Sequence, residues 1–345
     1  MTNERVLLAR QDNNGDVLLT GPAVRAVAAK AQNVTFLAGP RGRAAAHLLP
    51  GVDEVLIEHA SWIDAEPQPI EPGKVYAFID TINSRSFDRA IIFTSFHQSP
   101  LPLALLLRIA GIPMIAAISD DYPGNLLDIR HRMRDDIHEV ERDLSLVAQL
   151  GYSLPEHDDR RLHIERAEGQ ATWPWRNGEY VVVHPGATVP ARAWSAEKNA
   201  ALVRALSVGG RTVVVTGGNE EFSLARYVAG NTSGVYNACG LTTFPQFAAI
   251  IAGAHAVICG NTAAAHVAAA VQTPVISLFP PTIPAVRFRP WMVPHVLLGV
   301  QDIACRGCRA RVCPFEAQPC LDRISVDDVL AALHHLTGTH SPVPA

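Results

Sequence analysis

Residues 180–221 read YVVVHPGATVPARAWSAEKNAALVRALSVGGRTVVVTGGNEE. Two short, charge-free runs, 180–183 and 212–216, flank a helical stretch at 195–206, and a second helical stretch, 220–229, follows directly. Strands that are apolar on both faces and alternate with helices predict a parallel sheet covered on both sides. The alternation continues through 245–252, 256–259, 262–270, 274–279 and 295–299. The same pattern precedes it. Runs at 5–9, 34–38, 54–57, 90–94 and 113–117 read as strands, and 16–30, 101–110 and 138–150 as helices. Between the halves, residues 153–178 are polar, charged and broken by prolines, and read as a linker. The expected fold is therefore α/β, with two Rossmann-like domains, 1–165 and 166–345, whose parallel sheets face each other across a cleft. Ligands in such sheets sit at the C-terminal strand ends, so the cleft is the expected site.

Composition narrows the function classes. A chain of 345 residues that is 48% hydrophobic and 18% charged buries a large core, which excludes global disorder. A net charge of −4 gives no electrostatic footprint for nucleic acid. The longest apolar stretch, 101–118, is interrupted by Pro102, Arg108, Gly111 and Pro113, so no membrane span is expected. The start, MTNERVLLAR, has no signal-peptide core, and a cytoplasmic protein with reduced cysteines is expected.

Candidate chemistry lies in the strand-to-helix turns. Asn13-Asn14-Gly15-Asp16 follows the first strand; Asp16 is either a first-turn acid complementing the helix dipole or a general base aimed into the cleft. Asn14, His97 and Gln98, at strand ends of the first half, are candidate acceptor contacts. In His184-Pro185-Gly186-Ala187-Thr188, Gly186 and its neighbouring N–H groups can approach a phosphate, and Thr188 adds a hydroxyl. Arg192 can neutralise a diphosphate or be simply solvated. Gly217 and Gly218 permit close approach of a nucleotide, and Glu220 or Glu221 can accept ribose hydroxyls or serve as ordinary helix-start acids. The most informative stretch is Gly260-Asn261-Thr262-Ala263-Ala264-Ala265-His266: a helix start with free N–H groups, a hydroxyl, and an imidazole one turn along the same face. Tight packing, with Asn261 as cap and His266 buried, is the plainer reading. Arg287, Phe288, Arg289 and Trp291 form either a surface loop or a phosphate clamp. Cys305, Cys308, Cys313 and Cys320, in the loop 305–320, could hold a structural Zn²⁺ or iron–sulfur cluster, with free thiols or disulfides as the alternative. Cys239 and Cys259 read as buried small residues.

In order, HPGA, a basic residue two before Trp194, TGG with acids, an Asn-Thr followed by His266, and TPVISLFPPT resemble glycosyltransferase family 9, the bacterial heptosyltransferases that use ADP-heptose. GDVLLTGPAVRAV near the start and the segment His138–Arg142 are similar to that family too, so the resemblance covers nearly the whole chain. It implies a GT-B fold, with the acceptor bound mainly by the first domain and the sugar nucleotide by the second. It implies inverting transfer with Asp16 as base and Arg192 in the place of a lysine that stabilises the leaving diphosphate. Thr188 then lies by the diphosphate, Glu221 contacts ribose, and Thr262 and His266 form the donor-binding helix start; His184, Gly186, Gly217, Asn261 and Ala263 complete the donor set. The family's aspartate and glycine are replaced here by Asn261 and Ala263, which changes the surroundings of the donor sugar. The default substrates are ADP-heptose and a lipopolysaccharide core sugar, with no cofactor needed for catalysis and peripheral membrane contact through a lipid-linked acceptor. A small-molecule acceptor such as an aminoglycoside or nucleoside antibiotic intermediate is the alternative. A sugar-nucleotide epimerase, or a binding module that has lost turnover, are more distant readings.

Overall fold

A computed structural model describes every residue except 1–2, 65–66, 96–97, 135, 166–172, 176, 178 and 339–345. The chain divides into two compact units, Met1–Glu165 and Arg166–Ala345. The first unit runs β1 (Arg5–Arg10), α1 (Asn14–Leu19), α2 (Gly21–Ala28), β2 (Asn33–Ala38), α3 (Arg43–Ala46), β3 (Glu54–Ile57), α4 (Pro72–Asn83), β4 (Arg89–Ile92), α5 (Leu101–Ile109), β5 (Met114–Ile118), β6 (Ile129–His131) and α6 (Glu139–Ala148). The second runs β7 (Tyr180–His184), α7 (Ala196–Val208), β8 (Thr212–Val215), α8 (Phe222–Ala229), β9 (Val235–Asn237), α9 (Phe244–Ala252), β10 (Ala256–Gly260), α10 (Ala263–Ala270), β11 (Val275–Leu278), α11 (Ala285–Phe288), β12 (His295–Leu298) and α12 (Val326–Gly338).

Each unit holds one six-stranded sheet, ordered β3-β2-β1-β4-β5-β6 and β12-β11-β10-β7-β8-β9. Every strand pair is parallel, with Leu8 opposite Phe36 and Ile91 in the first sheet and Val182 opposite Val214 and Val257 in the second. This is the doubly wound order. The physical reason is visible in the strands: Val6, Leu7 and Leu8, and likewise Val182, Val183, Val213 and Val214, have no exposure at all, so apolar side chains are covered on both faces. The order reverses between β1 and β4 and between β7 and β10. The loops leaving these four strands are therefore the ones that diverge to opposite faces and open a ligand crevice at each sheet's C-terminal edge.

Two expectations are corrected. The helix expected at 16–30 is two helices, because Pro22 sits in the first turn of α2 and cannot donate to the carbonyl four residues back. Thr20 occupies the break and its hydroxyl donates to the Val17 carbonyl at 2.7 Å. The segment 153–165 is not a linker but part of the first unit. Arg25 forks onto Asp158 at 2.7 and 2.9 Å, Leu162 is fully buried, and the Glu165 N–H donates to the Leu48 carbonyl at 2.8 Å. Its charges pair along the unit's surface, and a single leucine anchors it. That gives no periodic apolar pattern to read. Helix α4 escapes the sequence reading for a related reason: only Phe78 and Ile82 are buried in its twelve residues. Among the described residues no helix is long and apolar enough to cross a membrane.

Candidate active site

The second unit's crevice is built by the loops leaving β7, β8 and β10. His184 ends β7, and its Nδ1 lies 3.0 Å from the Thr216 hydroxyl at the end of β8. The two glycines that follow permit a tight junction. Glu221 folds back so that its Oε2 accepts the Gly218 N–H at 2.8 Å and stands 3.9 Å from His184 Nε2. A Cβ on Gly186 would collide with this carboxylate, and one on Gly217 would meet Cys239 Sγ at 2.9 Å. Gly186 thus leaves the space that the Glu221 carboxylate fills, and a side chain there would push that carboxylate away. Burial pushes the His184 imidazole down, against the pull of Glu221 and then Glu220. Thr188 is exposed at the far end of the same loop.

At the reversal point, β10 ends in Gly260, which passes under Arg192: a Cβ there would lie 2.9 Å from the Arg192 carbonyl oxygen. Arg192 closes a short 3-10 helix, Pro190–Arg192, and is so held beside the start of α10. That start differs from the plain reading. Thr262, not Asn261, is the N-cap residue, and its side chain makes no capping hydrogen bond. The Thr262 hydroxyl is buried without a partner, as is Nδ1 of His266 one turn later. Asn261 is buried and Ala263 half-buried. The rest of α10 is nearly all alanine and entirely buried, so its backbone packs close to the sheet. Burial pushes the His266 pKa down to about 4, and the ring is neutral at pH 7. With a folded value below the ordinary 6.5, this histidine contributes stability that is complete above pH 6.5 and lost as pH falls toward 4. The expected loss is about 3 kcal/mol across that window. Denaturant unfolding at stepped pH measures it, and His266→Gln should flatten that part of the curve.

The first unit's crevice is dominated by a buried charge cluster that sequence reading misses. Arg10, the last residue of β1, has no solvent exposure. Its Nε lies 2.7 Å from Asp12 Oδ2, its Nη2 3.4 Å from Asp16 Oδ1, and its Nη1 3.8 Å from Glu139 Oε2 at the start of α6. Burial opposes the Arg10 charge, but Asp12, Asp16, Asp143 and Glu139 together raise its pKa above the ordinary value. Burial raises the Asp12 carboxyl, reinforced by Asp16 and opposed by Arg10 and Gln98. Asp16 lies in the first turn of α1, with its side chain 23% exposed.

Two of the three expected acceptor contacts have other engagements, and the third, His97, lies outside the described residues. The Asn14 side-chain oxygen accepts the Ala45 N–H at 3.0 Å and ties α1 to α3. Gln98 accepts the Ser95 N–H at 2.9 Å and donates to Asp12 Oδ1, so it clamps the cluster instead of facing a ligand freely. Arg287 is fully buried, which removes the surface-loop reading for that residue, whereas Arg289 is exposed. The cysteine loop brings Cys305, Cys308 and Cys313 near enough to Cys320 to reinforce the upward push that burial gives its thiol. Among the described residues no group of three or more His, Cys, Asp or Glu side chains is placed to hold a metal ion, and all six cysteines are free thiols. The loop also braces the segment that carries Arg192: the Arg311 carbonyl accepts the Ala191 N–H at 2.9 Å and Gln318 donates to the Pro190 carbonyl at 3.3 Å. Cys239 and Cys259 are buried, and burial pushes the Cys259 thiol up to about 12.

Two doubly wound units with crevices at both reversal points define the GT-B class of α/β proteins. The model of glycosyltransferase family 9 (heptosyltransferase) matches residues 75–318, more than half of the chain, and the chain belongs to that family. It is similar to lipopolysaccharide heptosyltransferase 3 of Escherichia coli K12, at 35% identity over 233 residues that cover 63% of this chain and 65% of the relative. The chain thus spans just under two thirds of that relative's length. Similarity to lipopolysaccharide heptosyltransferase 1 of Pseudomonas aeruginosa is lower, 28%, and covers 90% of this chain and 88% of the relative. Among solved structures, E. coli heptosyltransferase WaaC with ADP-2-deoxy-2-fluoro heptose has the same fold, with a TM-score of 0.74 at 20% identity over 96% of this chain and 99% of that one.

Proposed function

We propose that the protein is an inverting glycosyltransferase that moves heptose from ADP-heptose to a hydroxyl of a lipopolysaccharide core sugar. The observation that carries the donor half is the start of α10. A helix N-terminus with free N–H groups attracts an anion, and here the Thr262 hydroxyl and Nδ1 of the neutral His266 ring are buried beside it without protein partners. A buried polar group without a partner is costly, and a diphosphate supplies the missing acceptors. Arg192 adds the positive charge, and Glu221 accepts ribose hydroxyls. His184, Gly186, Gly217, Thr188, Asn261 and Ala263 shape the remainder.

The first unit takes the acceptor. Asp16 removes the proton from the acceptor hydroxyl; that oxygen attacks the anomeric carbon opposite the diphosphate, and the bond from that carbon to the β-phosphate oxygen breaks. ADP departs with its charge stabilised by Arg192 and the α10 N–H groups. These groups supply the charge that a metal would otherwise provide, and no cofactor is required. Heptosyltransferase names among the relatives support the donor, and Asn261 and Ala263 are the positions at which its sugar pocket departs from the family pattern. The acceptor is lipid-linked, and the protein works at the cytoplasmic membrane face by peripheral contact.

Thermal unfolding with ADP, UDP, GDP, dTDP and their sugars tests the donor. ADP at 100 times its Kd should add about 2.7 kcal/mol of stability. A response to another nucleotide alone would overturn ADP, and no response to any would remove the donor site. Gly186→Ala, which displaces the Glu221 carboxylate, should weaken ADP binding by about tenfold or more. Calorimetry measures it, and an unchanged affinity would place Glu221 outside the nucleotide site.

A further inference from the structure

We propose that Arg10 is a positioning residue for the transfer reaction: its guanidinium, held on two sides by Asp12 and Glu139, fixes the Asp16 carboxylate in the orientation from which it takes the acceptor's proton. The inference rests on the reading of Asp16 as base. The geometry is that of a three-way clamp. Nε faces Asp12 at 2.7 Å, Nη1 faces Glu139 at 3.8 Å, and Nη2 remains for Asp16 Oδ1 at 3.4 Å. Asp12 is held in turn by Gln98, and Glu139 faces Arg142 at 3.8 Å. Asp12 and Glu139 hold the buried guanidinium by charge, without hydrogen bonds from Nε or Nη1, and its hydrogen bond goes from Nη2 to Asp16.

Stability alone does not account for the arrangement. Burying an ion pair is often neutral or worse than filling the same volume with apolar side chains, and every other residue of β1 after Arg5 is apolar and buried. Around Arg10 and Arg142 stand Asp12, Asp16, Glu139 and Asp143. Asp12, Glu139 and Asp143 are buried, whereas the Asp16 side chain is 23% exposed. The network therefore opens outward at Asp16. Oδ1 is tied to Arg10, while among the described residues no protein group is bonded to Oδ2, which is left to meet an acceptor hydroxyl.

The test is a double-mutant cycle with ADP-heptose and a delipidated core oligosaccharide. Arg10→Met should lower kcat about a hundredfold, the effect of misplacing a reacting group by an ångström, with KM for ADP-heptose unchanged. Arg10→Lys, which keeps the charge and loses the fork, should recover to within about tenfold of wild type. In an Asp16→Asn background, Arg10→Met should cost less than about twofold more, because Arg10 acts through Asp16. Wild-type kcat in Arg10→Met, or an equal loss in both backgrounds, would overturn the proposal. If Arg10→Met does not fold, the same cycle with Arg10→Lys decides it: a several-fold loss confined to the Asp16 background supports positioning, and an equal loss in both contradicts it. Should Asp16→Asn itself transfer at the wild-type rate, the base assignment fails first. That result differs from an inactive Asp16→Asn alongside an unaffected Arg10→Met, which sinks the positioning role alone.

Discussion

Asp16→Asn should lower the transfer rate by about a thousandfold while ADP-heptose binds as tightly as before. The substitution is isosteric, and Asp16 sits in the first turn of α1 with its side chain partly exposed, so the fold has no reason to change. What is lost is the acceptor for the proton. An amide can still receive the Arg10 hydrogen bond through its oxygen, so the cluster keeps its geometry, but its nitrogen cannot abstract a proton. The loss should fall on kcat, because a base acts in the transition state and contributes little to ground-state binding. Stopped assays at saturating acceptor, beside calorimetry with ADP-heptose, separate the two. A wild-type rate would return Asp16 to its plainer role of complementing the helix dipole.

Arg192→Ala should lower kcat by about 100- to 1,000-fold, the range expected for removing one preorganised charge from a leaving group. The side chain leaves from a backbone that is held independently: the Arg192 N–H donates to the Val189 carbonyl at 2.8 Å, and the cysteine loop braces Pro190 and Ala191. The melting temperature should therefore change little. Arg192→Lys should recover most of the rate, since one charged contact suffices where the diphosphate leaves, though without a bidentate fork. Single-turnover measurement of ADP release is the direct readout. Equal rates for Arg192→Ala and wild type would leave the diphosphate to the α10 N–H groups alone.

The strands were legible because a doubly wound sheet writes its burial into sequence: Val181, Val182 and Val183 are covered on both faces, and no surface element needs three such residues in a row. The turns were legible because glycine at a strand end has few other uses. A Cβ on Gly217 would meet Cys239 Sγ, one on Gly260 the Arg192 carbonyl, and one on Gly186 the Glu221 carboxylate. The two-helix form of 14–28 is legible in principle from Pro22, which cannot donate to the carbonyl four residues back. The segment 153–165 was not legible, because its order comes from Arg25 and Leu48, far away in sequence. Arg10 was hidden for the same reason. A charge at the end of an apolar strand reads as the point where the chain reaches solvent, and only the arrival of α6 with Glu139 and Asp143 turns that point into an interior. Gln98 looked like a ligand contact because it ends a strand, and the structure gives both of its polar atoms to Ser95 and Asp12. The cysteine spacing suggests a metal; Cys305, Cys308 and Cys313 do gather near Cys320, but among the described residues they do not form a ligand set.

The most direct measurement is transfer itself. The purified protein is incubated with ADP-heptose and a heptose-bearing core oligosaccharide, and the product is examined by mass spectrometry and by NMR at the new anomeric centre. The account predicts an oligosaccharide one heptose heavier, one ADP released for each, and an anomeric configuration inverted from that of the donor. Retention of configuration would contradict direct displacement with Asp16 as base. ADP-heptose that binds but is transferred to no such acceptor would contradict the assignment to lipopolysaccharide core.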